Sequence, residues 1–237
     1  MNRVLKVTRL HLNKMSTFAI TPLMILGIVM VVSVIIAIAI QRAVASPVDS
    51  AEYIEGARHN GAIVWSLPGF LIYYGVQAVA TSYPFALALG TTRRNFILGT
   101  ILANAVQSAY VAVLLLVLLG IELATGHWFV GVYVLDTYLV GAGDPLTLGV
   151  TAFLGVMLCL TIGGVFGAVW VRFGPKGPTF LALALALVLA VTLLVLAPQL
   201  GEIFAGITAA GLAIAAVVIM AVSLVGTGLA MRRASVR

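Results

Sequence analysis

The sequence predicts an all-α integral membrane protein with six transmembrane helices and both termini in the cytoplasm. Three observations predict this fold: the chain is 62% hydrophobic and only 8% charged, it contains six long apolar runs, and its basic residues cluster between them. A soluble domain carries about 25% charged residues, which cover its surface in water. The 13 basic and 7 acidic side chains cannot cover a fold of 237 residues. The composition therefore excludes a soluble nucleic-acid-binding domain, a disulfide scaffold and a disordered chain.

Six apolar runs are long enough to cross a bilayer, whose core of about 30 Å requires roughly 20 helical residues. They lie at residues 18–40, 61–81, 96–119, 146–171, 178–197 and 203–230. Leu and Ala alternate at residues 181–190, but polar alternate positions are missing, which favours a helix over a barrel strand. We expect one transmembrane domain, 1–237, with a very short connection at 198–202 between the last two spans.

The charged residues predict the orientation, because cytoplasmic loops of membrane proteins are enriched in Lys and Arg. With the N-terminus inside, 11 of the 13 basic residues are cytoplasmic, namely Arg3, Lys6, Arg9, Lys14, Arg93, Arg94, Arg172, Lys176, Arg232, Arg233 and Arg237. Arg42 and Arg58 then lie outside together with all seven acids. The net charge of +6 therefore indicates orientation, and no nucleic-acid partner is expected.

Residues 127–140 are apolar and aromatic but too short to span a membrane, and they contain Asp136. Counting them as a span would place the last two basic loops on opposite sides. We therefore predict an interfacial or re-entrant element on the outer side, with Trp128, Tyr133 and Tyr138 at the level of the lipid headgroups.

Residues 1–17 form an amphipathic segment. One face of its helical wheel carries Val4, Leu5, Thr8, His11, Leu12 and Met15, and the opposite face carries Arg3, Lys6, Arg9 and Lys14. This pattern is typical of a helix that lies on the inner leaflet and is attracted by anionic lipid. A basic tail that only fixes the topology explains the same pattern, and both interpretations stay open.

A short cytoplasmic helix is predicted between spans two and three, in residues 82–96. Ser82 can cap it, its first turn tolerates Pro84, and Gly90 can end it in the left-handed conformation. Thr91 or Thr92 can then cap the third span. The loop is either a basic turn that sets the topology or a rigid lever that projects towards a soluble partner.

The order of these elements, and above all the segment ALALGTTRRNFILGT at residues 86–100, resembles the ABC-2 type permease family, the membrane subunits of ATP-binding-cassette exporters. The segment is similar to the family's recurrent stretch ALG-x-[ST]-R-R-x-(F/Y) after the second span. In that family this loop forms the coupling helix that docks on the ATPase. The resemblance implies that residues 84–90 form the helix and that the loop comprises Tyr83, Pro84, Phe85, Gly90, Thr91, Arg93 and Arg94. The short connection at 198–202 departs from relatives that carry extra outer helices there.

The resemblance also implies the partners: a cytosolic ABC ATPase, a second permease copy or a homologous permease in a dimer, and membrane lipid. ATP and Mg²⁺ would bind to the ATPase, because this chain has no G-x-x-x-x-G-K-[ST] motif. H-E-x-x-H and G-x-S-x-G are also missing, so neither catalysis nor a metal site is predicted. Arg outnumbers Lys, which together with abundant Ala and Gly is typical of a GC-rich bacterial genome and suggests the cell membrane of a bacterium.

The middle of each span lacks charged residues, which disfavours an ion-coupled secondary transporter. Gln77, Asn104 and Gln107 are neutral polar residues on the two spans that the basic loop joins, and they are the candidate substrate path. Such an apolar surrounding suits a lipid-like substrate, with a drug or peptide as further classes. A non-transporting assembly or anchoring subunit, or a secondary transporter, stays open as an alternative.

Close helix packing is predicted at Gly163, Gly164 and Gly167, because a GxxxG spacing lets two backbones approach. Cys159 is the single cysteine and lies in an apolar run, so it is expected to pack as a small hydrophobe.

Overall fold

The computed structural model describes residues 3–44 and 47–232. Arg233 and Arg237, which are predicted to be cytoplasmic, lie outside these ranges. Within them the chain is helical and contains no strand. The same ranges contain six helical segments long and apolar enough to cross a membrane, which confirms the predicted number: Ser16–Ala43, Ala51–Ala88, Arg93–Ala124, Pro145–Phe173, Lys176–Ala205 and Ala209–Arg232.

The α-helices of the described residues are α1 (Arg3–Leu12), α2 (Thr21–Val44), α3 (Ala51–Ala57), α4 (Ala62–Ser66), α5 (Pro68–Ala80), α6 (Ser82–Ala88), α7 (Arg93–Ala124), α8 (Pro145–Phe173), α9 (Lys176–Leu196), α10 (Leu200–Ala205) and α11 (Ala209–Arg232). Single turns of tighter or wider helix occur at Ser16–Ile20, Tyr138–Val140 and Ala197–Gln199, and His127–Gly131 is a turn in which His127, Trp128 and Phe129 have positive φ. The second predicted span is divided between α4 and α5, where Pro68 supplies no backbone N–H to continue the helix.

The predicted start of the sixth span at residue 203 is wrong, and the connection before it is longer than predicted. After α9 the chain forms a turn at Ala197–Gln199 and the short helix α10, and α11 begins only at Ala209. The side chain of Thr208 accepts a hydrogen bond from the backbone N–H of Gly211 at 3.1 Å and so caps α11. The break between α10 and α11 is bordered by apolar residues on both sides, so it cannot be recognised from the hydropathy of the sequence.

Two compact units are distinguished in the chain. The first comprises Met1–His11, Ile72–Leu102 and Leu158–Arg237, and the second comprises Leu12–Leu71 and Ala103–Met157. The first unit has a buried cluster that joins α1, α5, α6, α7, α8 and α11, formed by Val7, Val79, Tyr83, Ala86, Phe96, Ala168, Ala230 and Met231. Within this cluster the rings of Tyr83 and Phe96 meet edge to face at 5.2 Å between centroids.

In the first unit, helices α5 and α8 approach closely at glycines. A Cβ atom on Gly167 would lie 2.6 Å from the carbonyl oxygen of Val76, and one on Gly163 would overlap the backbone of Ile72. Gly75, on the facing side of α5, contributes equally to this approach, although the sequence analysis did not single it out. Gly164 faces Val79 only at ordinary van der Waals distance.

In the second unit, Glu122 organises the segment that follows α7. Its side chain is completely buried, and its carboxylate accepts backbone hydrogen bonds from Val134, Leu135 and Asp136 at 3.0, 2.9 and 3.2 Å. These bonds hold residues 132–137 in a buried segment that is neither helix nor strand. Residues 127–140 therefore do not form a spanning helix, which agrees with the prediction from the sequence.

The same segment carries an ionic cluster around Asp136, which is 2% exposed. Its Oδ2 atom lies 2.9 Å from Arg58 Nη2 and 3.0 Å from His127 Nε2. The imidazole of His127 stacks on the ring of Tyr133 at 3.9 Å between centroids. Tyr133 is thus buried against His127, whereas Tyr138 is half exposed. Burial raises the pKa of the Tyr133 phenol.

Candidate docking surface

Helix α6 has one buried face and one exposed face, both within the first unit. Tyr83 and Ala86 point into the cluster and are 0% and 2% exposed. Phe85 and Leu89 lie four residues apart, hence on one helical face, and are 53% and 68% exposed. Pro84 is half buried. The exposed apolar pair therefore lies on a segment whose opposite face is packed into the buried cluster.

The end of α6 is fixed by local hydrogen bonds. Gly90 has a φ of +75°, the left-handed conformation expected from the sequence. The N–H of Gly90 donates to the carbonyl of Leu87 at 2.9 Å, and the N–H of Thr91 donates to the carbonyl of Ala86 at 3.0 Å. This pair of bonds is the Schellman motif, which satisfies the last carbonyls of the helix.

The start of α6 differs from the prediction that Ser82 caps it. Ser82 is the first helical residue, and Thr81 holds the capping position without making a side-chain cap. The hydroxyl of Thr81 instead donates to the carbonyl of Gln77 at 2.6 Å, because that bond continues the turn of α5. The cap of α7 is Thr92, whose hydroxyl accepts from the N–H of Asn95 at 3.3 Å.

Two arginines connect the loop after α6 to α1 and to the last residue of α11. Arg3 donates from Nη1 to the carbonyl of Gly90 at 3.1 Å, and Arg93 donates to the carbonyl of Arg232. Arg94 is exposed. The loop is consequently held by α1 on one side and by the end of α11 on the other.

Helix α1 packs on α7 through a face that overlaps the predicted one at Thr8 and His11 and departs from it at Leu5 and Val7. Its buried residues are Val7, Thr8 and His11, whereas Leu5, predicted to share the apolar face, is 50% exposed. The reason is Gly99, where a Cβ atom would lie 2.6 Å from that of Val7. The hydroxyl of Thr8 also donates to the carbonyl of Gly99 at 3.1 Å. The missing side chain lets α1 approach the backbone of α7.

His11 makes the docking of α1 sensitive to pH. Its Nε2 atom lies 3.0 Å from Thr100 Oγ1, and burial lowers the pKa of His11 from 6.5 to about 4. The undocked helix takes up a proton near pH 6.5, whereas the docked helix resists protonation until about pH 4. The free energy of undocking is expected to fall with falling pH over this window, by about 3 kcal/mol in total. Hydrogen exchange of the α1 amides, corrected for intrinsic rates, measures it, and His11→Asn should remove the pH dependence.

The three residues predicted to line a substrate path belong to two different units of the chain. Gln77 belongs to the first unit and donates from Nε2 to the hydroxyl of Tyr73 at 3.0 Å. Asn104 and Gln107 belong to the second unit and are 6% and 1% exposed. Gln107 donates from Nε2 to the carbonyl of Phe18 at 3.0 Å, while its Oε1 atom is buried without a hydrogen-bond partner. Gln107 therefore joins α7 to the start of the first span through a hydrogen bond.

The arrangement of α6 and its loop suits the binding of another protein. Three or more His, Cys, Asp or Glu side chains do not come together as metal ligands anywhere in residues 3–44 and 47–232. The loop offers an exposed apolar pair, an exposed arginine at residue 94 and a rigid support. Neither a family model, nor a curated protein, nor a solved structure matches the chain.

Proposed function

We propose that this chain is the permease subunit of an ATP-driven exporter of the ABC-2 type, and that a separate cytosolic ABC ATPase docks on α6. The observation that carries the proposal is the two-sided character of α6. Phe85 and Leu89 are exposed, while Tyr83 and Ala86 on the opposite face are buried. Exposed apolar side chains near the centre of a rigid patch are typical of protein interfaces.

The packing of α6 supports a role in force transmission. Tyr83 contacts Phe96 at the start of α7, and both belong to the cluster that includes Val79 of α5. A push on α6 would therefore reach α5 and α7 through side chains that cannot be compressed. ATP and Mg²⁺ bind to the ATPase, whose closure moves these helices and switches the permease between inward- and outward-facing states.

The remaining parts of the proposal follow from the charges and the exposed helices. Both termini and the loop at 82–96 lie in the cytoplasm, and the chain resides in the cell membrane of a bacterium. Helix α9 has no buried residue in the described structure, so its apolar surface suits lipid or a second permease copy. The substrate is lipid-like, since the described spans present almost entirely apolar side chains.

Replacing Phe85 with alanine tests the docking surface. Truncation of an exposed aromatic anchor is expected to weaken the permease–ATPase complex at least about tenfold. The measurement is the amount of ATPase that co-purifies with the permease over a range of ATPase concentrations. Phe204→Ala is the matched control, because Phe204 is 66% exposed and lies on the proposed outer side. Equal loss in both variants, or no loss at Phe85, would contradict the proposal.

A non-transporting assembly subunit is the second candidate, and Gln107 favours it. The side chain is 1% exposed and its Nε2 atom donates to the carbonyl of Phe18, as expected of a packing residue. Efflux from liposomes that contain the permease and its ATPase separates the two functions. ATP-dependent movement of a lipid-like probe supports the exporter, and a stable complex without movement supports the assembly subunit. Movement without ATP or ATPase would indicate a secondary transporter.

A further inference from the structure

The second unit contains a cavity of about 720 Å³ beside the first span. One wall is the face of α2 that carries Ile28, Val32, Ile36 and Ile40. The opposite wall comes from α3, from the residues that follow it, and from Tyr133. The volume lies within the range of about 300–1,000 Å³ that is usual for small-molecule sites.

The cavity wall on α2 is long and apolar. Its residues recur every three or four positions, so they form one stripe, and from residue 28 to residue 40 this stripe is about 18 Å long. A stripe of this length and polarity fits an extended alkyl chain better than a compact ring system.

One polar group interrupts the stripe at Ser33. The residue is only 6% exposed and lines the cavity. A hydroxyl can both donate and accept, so a ligand with a hydrogen-bonding group at this level could pair with it.

The outer end of the cavity is polar, and some of its groups are already used. The hydroxyl of Tyr53 donates to the carbonyl of Gly131 at 3.0 Å and accepts from Gln41. The side chain of Asn60 donates to the carbonyl of Tyr133 and accepts from the N–H of Ala62. These residues shape the opening and have little capacity left for a ligand.

Glu52 and His59 are the polar groups at this end whose side chains lack a hydrogen-bond partner within residues 3–44 and 47–232. Glu52 bears the single carboxylate of the lining. The sequence around it, residues 47–57, contains Asp49, Glu52 and Glu55, and the basic residue that follows, Arg58, is paired with Asp136. A positively charged headgroup is therefore favoured at the opening, with the imidazole of His59 as a further acceptor.

We propose that this cavity binds a single-chain cationic amphiphile. The alkyl chain lies along the stripe of α2 past Ser33, and the ammonium group pairs with the carboxylate of Glu52. Binding is a property of this chain alone and requires neither the ATPase nor transport. The inference therefore stands or falls separately from the proposed function.

Photolabelling of the full chain in phosphatidylcholine nanodiscs tests the site. The probes are a long-chain alkylamine and an alkyl sulfate of the same length, each with a diazirine on the chain, and labelled residues are identified by mass spectrometry. The alkylamine is expected to label residues 28–40 saturably and at lower concentration than the sulfate. Glu52→Gln should raise the half-saturating concentration roughly two- to fivefold, as for an exposed ion pair.

Two matched substitutions on α2 test the location. Ala37 lines the cavity, whereas Ala39 is exposed and does not line it. Ala37→Phe should abolish saturable labelling of residues 28–40, and Ala39→Phe should leave it unchanged. Should Ala37→Phe fail to fold, Glu52→Gln still decides, because Glu52 is exposed and its change costs no packing. Equal labelling by the amine and the sulfate, or an unchanged half-saturating concentration in Glu52→Gln, overturns the proposal and leaves a gap filled by ordinary lipid.

Discussion

Replacement of Glu122 by leucine is expected to lower the free energy of unfolding by about 3 kcal/mol or more, because each buried group left without a partner costs about 1–3 kcal/mol. The carboxylate accepts the backbone N–H groups of Val134, Leu135 and Asp136, and all three would lose their acceptor. Glu122→Gln should lie between the wild type and the leucine variant, since one amide oxygen replaces two carboxylate oxygens.

Hydrogen exchange of the three amides is the direct measurement for Glu122. Protection at Val134, Leu135 and Asp136 should be lost first in Glu122→Leu, together with a lower midpoint of thermal unfolding in micelles. Glu202→Leu is the control, because Glu202 is exposed and accepts no side-chain hydrogen bond in the described structure. If exchange at the three amides stays at the wild-type rate in Glu122→Leu, the carboxylate does not hold the segment.

Replacement of Gly90 by valine is expected to uncouple α6 from its partner. A left-handed conformation costs an L-residue about 1–2 kcal/mol, and a β-branched side chain suffers most, so the equilibrium constant for forming the native turn would fall about tenfold. The Schellman motif of Gly90 with Leu87 and Ala86 would then open, and the carbonyl that accepts from Arg3 would move. ATP hydrolysis by the permease–ATPase complex should fall by a similar factor.

Gly174 provides a matched control for Gly90. Its φ is +73°, and a Cβ atom there would meet no other atom within 4 Å, as at Gly90. Gly174→Val therefore imposes the same backbone strain after the end of α8 rather than at the end of α6. Loss of ATP hydrolysis in the Gly90 variant alone supports coupling through α6. Equal losses in both variants would assign the effect to general strain.

The fold was largely predictable because the spans depend on length and hydropathy, which are local properties of the chain. The start of α11 was not, since the capping hydroxyl of Thr208 follows a break that apolar residues border on both sides. The role of Glu122 was missed for a different reason. Its partners lie 12 to 14 residues further along the chain, in a segment without helical periodicity.

The candidate docking surface shows the same division between local and distant determinants. Gly90 and Thr92 were predictable, because capping depends on residues within one turn. The burial of Val7 on α1 was not, since it depends on the missing side chain of Gly99, a residue 91 positions from Thr8. A glycine on one helix and a threonine on another indicate close packing only when it is already known that the two helices are in contact.

Site-specific cross-linking tests the central claim, the docking of an ATPase on α6, most directly. The chain contains a single cysteine, Cys159, so Cys159→Ala provides a cysteine-free background. Leu89→Cys places a thiol on the exposed face of α6, and Leu146→Cys is the control at a residue that is 76% exposed at the start of α8. In cells of the native host, a bifunctional thiol reagent should join position 89, and not position 146, to a protein with a G-x-x-x-x-G-K-[ST] motif. Absence of that product at position 89, or equal yield at both positions, would contradict the account.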